Sequence, residues 1–120
     1  MNKKIITIVL PIYNEGKIIE EVLQSLRLQK TFDYELEILV IDGLSTDDSL
    51  NIIKKMSLSD NRIRLLINEK RKTPYALNIG LKESHGEFIC ILGAHCKYVD
   101  NYIYVCLNEL IKHDAIGCSG

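Results

Sequence analysis

Four short polar stretches, each directly after an apolar run, hold the side chains best suited to chemistry. They are Tyr13 to Gly16, Asp42 to Thr46, Asn68 to Thr73 and Gly93 to Tyr98. Glu15 and Asp42 offer carboxylates that can accept from a ligand's N–H groups, or equally cap a helix and pair with its first-turn charge. Tyr13 can lie against a flat ring or simply pack. Lys70, Arg71 and Lys72 can offset charge on a leaving phosphate, or stand as a solvated loop. His95 is suited to a metal ion, and as readily to a plain loop position.

These stretches need elements to position them. Ile5 to Ile12, Leu36 to Ile41, Arg62 to Ile67 and Glu87 to Leu92 are short apolar runs that read as strands, and Ala115 to Ser119 opens a fifth. Between them, apolar residues recur at helical spacing. Ile18, Ile19, Val22, Leu23 and Leu26 mark a helix over Lys17–Gln29 with Asn14 as its cap. Ser45 or Thr46 is expected to cap a second helix that buries Leu50, Ile53 and Met56 and ends at a polar turn, Ser57–Asn61. Thr73-Pro74 reads as the cap and first position of a third helix. In that helix Asn78 and Gly80 serve close packing on the sheet. A last helix, capped by Asp100, buries Tyr102, Cys106 and Leu110. Strand and helix alternate throughout, so the expected fold is a mostly parallel sheet with helices on both faces. Ligands of such sheets bind outside the carboxyl ends of the strands, where all four polar stretches fall.

Bulk properties remove several classes. A chain of 120 residues, 47% hydrophobic and 26% charged, makes one ordinary globular domain and not two. A net charge of −1 argues against nucleic-acid binding through a basic surface. Cys90, Cys96, Cys106 and Cys118 form no C-x-x-C pair, which leaves reduced thiols in a cytosolic protein rather than a zinc or redox site. The apolar run after Met1-Asn2-Lys3-Lys4 is too short to span a membrane.

The motifs carry a resemblance. Pro11-Ile12-Tyr13-Asn14-Glu15, Asp42-Gly43-Leu44-Ser45-Thr46-Asp47, the Asn78-Ile79-Gly80 helix and Gly86-Glu87-Phe88-Ile89 occur in that order over nearly the whole chain. Together they resemble family 2 glycosyltransferases of the GT-A fold. His95 to Tyr102 further resembles the subgroup that builds bacterial exopolysaccharides of the succinoglycan type. The resemblance implies an α/β, GT-A (Rossmann-like) sheet, truncated here, with residues 1–120 as the N-terminal part that binds the nucleotide-sugar. It implies inverting transfer from a nucleotide-sugar, a UDP-sugar first of all, to a saccharide or lipid-linked acceptor in cell-surface polysaccharide synthesis. The setting implied is the cytoplasm, at the inner face of the membrane through parts this chain lacks.

The same resemblance distributes roles. Asp42 accepts from the uracil N–H, Glu15 contacts base or ribose, and Tyr13 with the main chain from Pro11 lies against the base. Lys72, with Lys70 and Arg71, approaches the diphosphate. Most members hold a divalent metal, Mn²⁺ or Mg²⁺, with an Asp-x-Asp-like motif, and the exopolysaccharide subgroup reads Asp-Ala-His. This chain reads Gly93-Ala94-His95, which leaves His95 as the metal ligand and favours Mn²⁺, the better partner for imidazole. Gly43 likewise stands where many members have a second aspartate. No catalytic base is assigned, and the chain alone is expected not to transfer sugar. Asp114 lies at the far end of the last helix.

Other α/β classes fit less well. A nicotinamide-binding domain requires G-x-G-x-x-G after the first strand, and the chain has Pro-Ile-Tyr-Asn-Glu-Gly. A receiver domain requires an aspartate at the third strand exit, where Asn68 stands. A nucleotidyltransferase-like domain requires a glycine-rich basic loop, which Glu15-Gly16-Lys17 matches poorly.

Overall fold

A computed structural model describes residues 4–112 and 117–119, with side chains described for residues 4–109. The expectations for the side chains of Leu110, Asp114, Ala115 and Cys118 lie outside those residues. The elements run β1 (Lys4–Ile12), α1 (Ile19–Arg27), β2 (Tyr34–Asp42), α2 (Ser49–Ser59), β3 (Ile63–Ile67), α3 (Thr73–Glu83), β4 (Phe88–Ile91), α4 (Tyr102–Lys112) and β5 (Gly117–Ser119). The strands form one sheet in the order β3-β2-β1-β4-β5, and every pairing is parallel. The central strand is therefore β1. The chain winds outward from it to β3, then crosses back through α3 to β4, so the switch point lies between β1 and β4.

Alternation along each strand divides the core between two faces. Ile6, Ile8 and Leu10 of β1, with Leu36, Ile38 and Val40 of β2, face the helices α1, α2 and α4, and this larger core includes Leu23, Ile53 and Ile103. Val9, Ile41 and Ala76 form a smaller core under α3. There Gly80 is required: a Cβ on it would stand 2.7 Å from a methyl of Val9. Gly86 answers to the same logic just before β4, where a Cβ would meet the Thr7 main-chain nitrogen at 2.7 Å.

Several local expectations change. Asn14 does not cap α1, which starts without a side-chain cap at Ile18. Its amide is spent on the loop after β2 instead. Neither Ser45 nor Thr46 caps α2, because both serve other partners; Asp47 accepts from the Ser49 N–H at 2.9 Å and so holds the first turn. Ser57, Leu58 and Ser59 continue α2 as its last turn, and the helix stops at Asp60, whose backbone is extended. Asp60 faces Arg62 and Arg27 at 2.8 and 3.0 Å. The Arg62 hydrogen bonds pull its carboxyl down to about 2, against the opposing effect of burial. Asn78 is exposed rather than packed, although Gly80 packs as expected. In α4 the buried stripe is Ile103 and Leu107, with Tyr102 and Cys106 on its flanks. Its first-turn acceptor is not Asp100 but Gln29, whose Oε1 takes the Ile103 N–H at 2.9 Å.

At the amino ends of the strands a closed polar cluster ties α3 to the sheet. Thr7 is fully buried and donates to Glu37 at 2.8 Å. The His85 N–H and ring meet the same carboxylate at 2.9 and 2.7 Å, and Arg64 bridges Glu37 to Glu83. Burial works to raise the Glu37 carboxyl, but the hydrogen bonds from His85 and Thr7 outweigh it and hold it below the usual range.

Candidate functional site

The carboxyl end of the sheet carries a cavity of about 300 Å³. The first strand exit supplies Pro11, Tyr13 and Glu15; the second, Ile41 and Gly43; the third, Asn68 and Arg71; the fourth, His95. The floor is Ala76, in the first turns of α3.

Hydrogen bonds between distant loops build this rim. The Asn14 side chain accepts from the N–H of Thr46 at 2.7 Å, and the Asn14 N–H donates to the Ser45 hydroxyl at 2.8 Å. The Gly16 N–H donates to Asp47 at 3.0 Å. Ser49 holds the Asp47 carboxyl below its usual range through its hydroxyl and N–H. Asn68 is buried and organises the third loop: its amide donates to the Lys72 carbonyl and accepts from the Lys70 N–H, at 2.9 and 3.2 Å. Asn14, Leu44 and Arg71 all adopt left-handed backbone, with φ of 52°, 65° and 66°. Only one other described non-glycine residue does so, Phe32 in the loop before β2. Left-handed backbone in non-glycine residues gathers where the surroundings over-determine it, commonly at sites that bind or react.

The residues singled out from sequence divide into two groups. Pro11, Tyr13, Glu15 and His95 come together on the cavity wall. His95 is open to solvent, and its Nδ1 lies 3.2 Å from Oε1 of the largely buried Glu15. Asp42 does not line the cavity. It is fully buried between two residues that do, and it accepts from Ser45 twice, from the N–H at 2.9 Å and the hydroxyl at 2.5 Å. Its local work is to fix the turn that presents Gly43. Lys72 is also off the wall, at the cap position of α3. The cation on the wall is Arg71, whose left-handed backbone turns it inward. Its guanidinium lies over the Tyr13 ring, 5.5 Å from the centroid. Lys70 instead covers Tyr75 at 4.5 Å. Asn68, which sequence suggested only as a missing phosphoacceptor, proves to be the scaffold of this loop. No spacing signal marks it, because its partners are backbone atoms.

After β4 the chain turns sharply around His95. The Tyr98 hydroxyl donates to the Gly93 carbonyl at 2.7 Å, and the Tyr98 N–H donates to Ser25 of α1 at 3.1 Å. Burial first, and the neighbouring Cys96 second, push the Tyr98 hydroxyl up to about 12, so it remains an O–H donor. Among the described residues no three His, Cys, Asp or Glu side chains gather as a metal cage. The available protein ligand is one imidazole beside one carboxylate. That set suits a cation that arrives with its own oxygen ligands, as on a diphosphate, better than a resident ion.

The sequence pattern of glycosyl transferase family 2 matches residues 7–120, nearly the whole chain. The chain belongs to glycosyl transferase family 2. A relative from Methanococcus voltae, a dolichyl N-acetyl-glucosaminyl phosphate diacetamido-dideoxy-glucuronosyltransferase, is 41% identical over 92 residues, which are 75% of this chain and 29% of that protein. Staphylococcus aureus TarS, solved in complex with UDP-GlcNAc, superimposes with a TM-score of 0.73 and 27% identity over 92% of this chain and 32% of its own. A Pyrobaculum calidifontis mannosyltransferase in complex with GDP-Man and Mn²⁺ gives 0.68 and 28%, over 82% of this chain and 29% of its own. The chain thus spans about a third of the proteins it matches, and its fold is the α/β sheet of these family members.

Proposed function

We propose that the cavity binds the nucleoside diphosphate of a nucleotide-sugar, a UDP-sugar first of all, and that the protein transfers that sugar to a saccharide or lipid-linked acceptor in glycan synthesis. The observation that carries this reading is the convergence of Tyr13, Glu15, Arg71 and His95, from the exits of β1, β3 and β4, on one cavity at the carboxyl end of the sheet. Family membership and the UDP-GlcNAc bound by TarS support it.

Each group has work that its chemistry suits. Tyr13 and the main chain from Pro11 give the base a flat wall. Asp42, through its two bonds from Ser45, holds the turn that presents Gly43 to the base, and Glu15 keeps the base-facing rim polar. Arg71, backed by Lys72 at the head of α3, offsets charge that grows on the diphosphate as the glycosidic bond breaks. A divalent cation, Mn²⁺ or Mg²⁺, would be held by His95 together with diphosphate oxygens, and would supply further neutralisation of the leaving group. Substitution at the anomeric carbon also needs a base to take the acceptor hydroxyl's proton, and no described residue is assigned to it. No helix among the described residues is long and apolar enough to cross a membrane.

Calorimetric titration with UDP tests the reading. Micromolar to millimolar binding is expected, weakened by about 1–3 kcal/mol in Asp42→Ala, which removes a buried hydrogen-bonding partner. No heat on titration with any nucleoside diphosphate would overturn the assignment.

A further inference from the structure

We propose that Gln29, with Ser25 one turn before it, is a positioning residue for the donor site: from the flank of α1 it fixes the loop between β4 and α4, and so the place of His95 on the cavity wall. The inference rests on the donor-site reading above and gives work to a residue that does not itself line the cavity.

Five polar side chains are buried among the described residues: Thr7, Gln29, Asp42, Ser49 and Asn68. Thr7 belongs to the cluster at the amino ends, while Asp42, Ser49 and Asn68 build the second and third strand exits. Gln29 belongs to neither group. A buried amide is costly unless its donors and its acceptor are met, and here all are used. Its Nε2 donates to the Val99 carbonyl at 2.5 Å and, within the helix, to the Ser25 carbonyl at 3.3 Å. Its Oε1 accepts from the Ile103 N–H at 2.9 Å. Neither a carboxylate nor an ammonium could do both.

These bonds act on residues 92–101, which lie between β4 and α4 and form no regular element. At its start this loop is held by the sheet, since the Leu92 N–H donates to the Val9 carbonyl at 3.0 Å and Ala94 is buried. At its end it is laid along α1. The Tyr98 N–H donates to the Ser25 hydroxyl at 3.1 Å, Val99 takes the Gln29 amide, and the Lys30 N–H donates to the Asp100 carbonyl at 2.7 Å. The Lys30 and Asp100 side chains also meet at 3.3 Å, but both are exposed and add little. His95 lies between the two holds and is open to solvent, so the course of the backbone decides where its ring stands. The support itself is firm. Ile19, Val22, Leu23 and Leu26 of α1 are buried in the main core, and the Glu15 carbonyl takes the Ile18 and Ile19 N–H groups at 3.0 and 2.8 Å. One helix thus carries the first wall of the cavity at its head and the fourth on its flank.

Calorimetry with UDP and backbone ¹H–¹⁵N spectra test this. Gln29→Glu keeps the shape and the acceptor but sets a carboxylate against the Val99 carbonyl. Apparent affinity falls with the fraction of time a site is competent, so UDP should bind folded Gln29→Glu about fivefold more weakly, and the milder Ser25→Ala about twofold. In both, the Ala94 and His95 amide signals should shift and respond less to UDP, and the Tyr98 amide should exchange faster with solvent. Glu37→Ala, which loosens the cluster at the amino ends, controls for general destabilisation and should leave those signals and the affinity in place. Unchanged UDP affinity in Gln29→Glu, or in Ser25→Ala should Gln29→Glu fail to fold, would overturn the proposal and leave the donor site intact. An equal loss of affinity in Glu37→Ala would do the same. Absence of any UDP binding by the wild type would take down both.

Discussion

The two ends of the sheet solve opposite problems with similar residues. At the amino ends, Thr7, Glu37, Arg64, Glu83 and His85 satisfy one another, and the buried members are fully paired. At the carboxyl ends, Tyr13, Glu15, Arg71 and His95 stand around open volume and touch one another sparingly. Polar groups that close on themselves fasten α3 to the sheet; polar groups that stop short of closing leave capacity for a ligand. Left-handed backbone follows the same division, with three of the four described non-glycine cases at the open end.

That contrast predicts that variants at one end change stability and variants at the other change binding. The largest effect is expected from Gly86→Val, whose side chain would press on the Thr7 backbone. It should cost about 3 kcal/mol, read as a shifted denaturant midpoint, with UDP affinity of the folded protein unchanged. Glu37→Ala should cost about 2 kcal/mol by removing the acceptor shared by the buried Thr7 hydroxyl and the His85 N–H, again without an effect on UDP. Arg71→Ala at the open end should reverse the pattern. UDP binding should weaken by about 1–2 kcal/mol, as expected for a lost charge-assisted contact, while the thermal midpoint hardly moves.

The smallest expected effect concerns acid. Asp60 has a folded value of about 2, below its unfolded one, so its contribution is full above about pH 4 and is lost as pH falls towards 2. On the order of 1–2 kcal/mol is at stake after allowance for the partly exposed arginines. Urea unfolding at pH 7 and pH 3 should show Asp60→Asn with a flatter acid dependence than wild type. An equal slope would mean that other carboxylates govern acid unfolding.

Much of the architecture was legible because parallel strands buried on both faces are written as unbroken apolar runs, such as Ile38 to Ile41. The strand exits were legible for the same reason, since polarity resumes where burial ends. What escaped was decided by partners far away in sequence. Asn14 looked like a helix cap and instead serves Thr46, a residue 32 positions on. Thr7 looked like one more strand residue and is the buried contact of a closed network. Lys72 was the member of the basic triplet singled out for the site, yet the turn that Asn68 builds puts Arg71 on the cavity wall. A basic triplet carries no mark of which member will be turned inward.

The bonds that join the first and second strand exits bear on how members of this family could be recombined. Asn14 and Gly16 supply groups that Ser45, Thr46 and Asp47 need, so the two loops form one exchangeable unit despite the whole of α1 and β2 between them. A chimera that imports the Asp42–Asp47 loop from another transferase without its matching first loop would lose those contacts. The graft should travel as a pair, and a breakpoint placed inside α1 would be the costlier choice of junction.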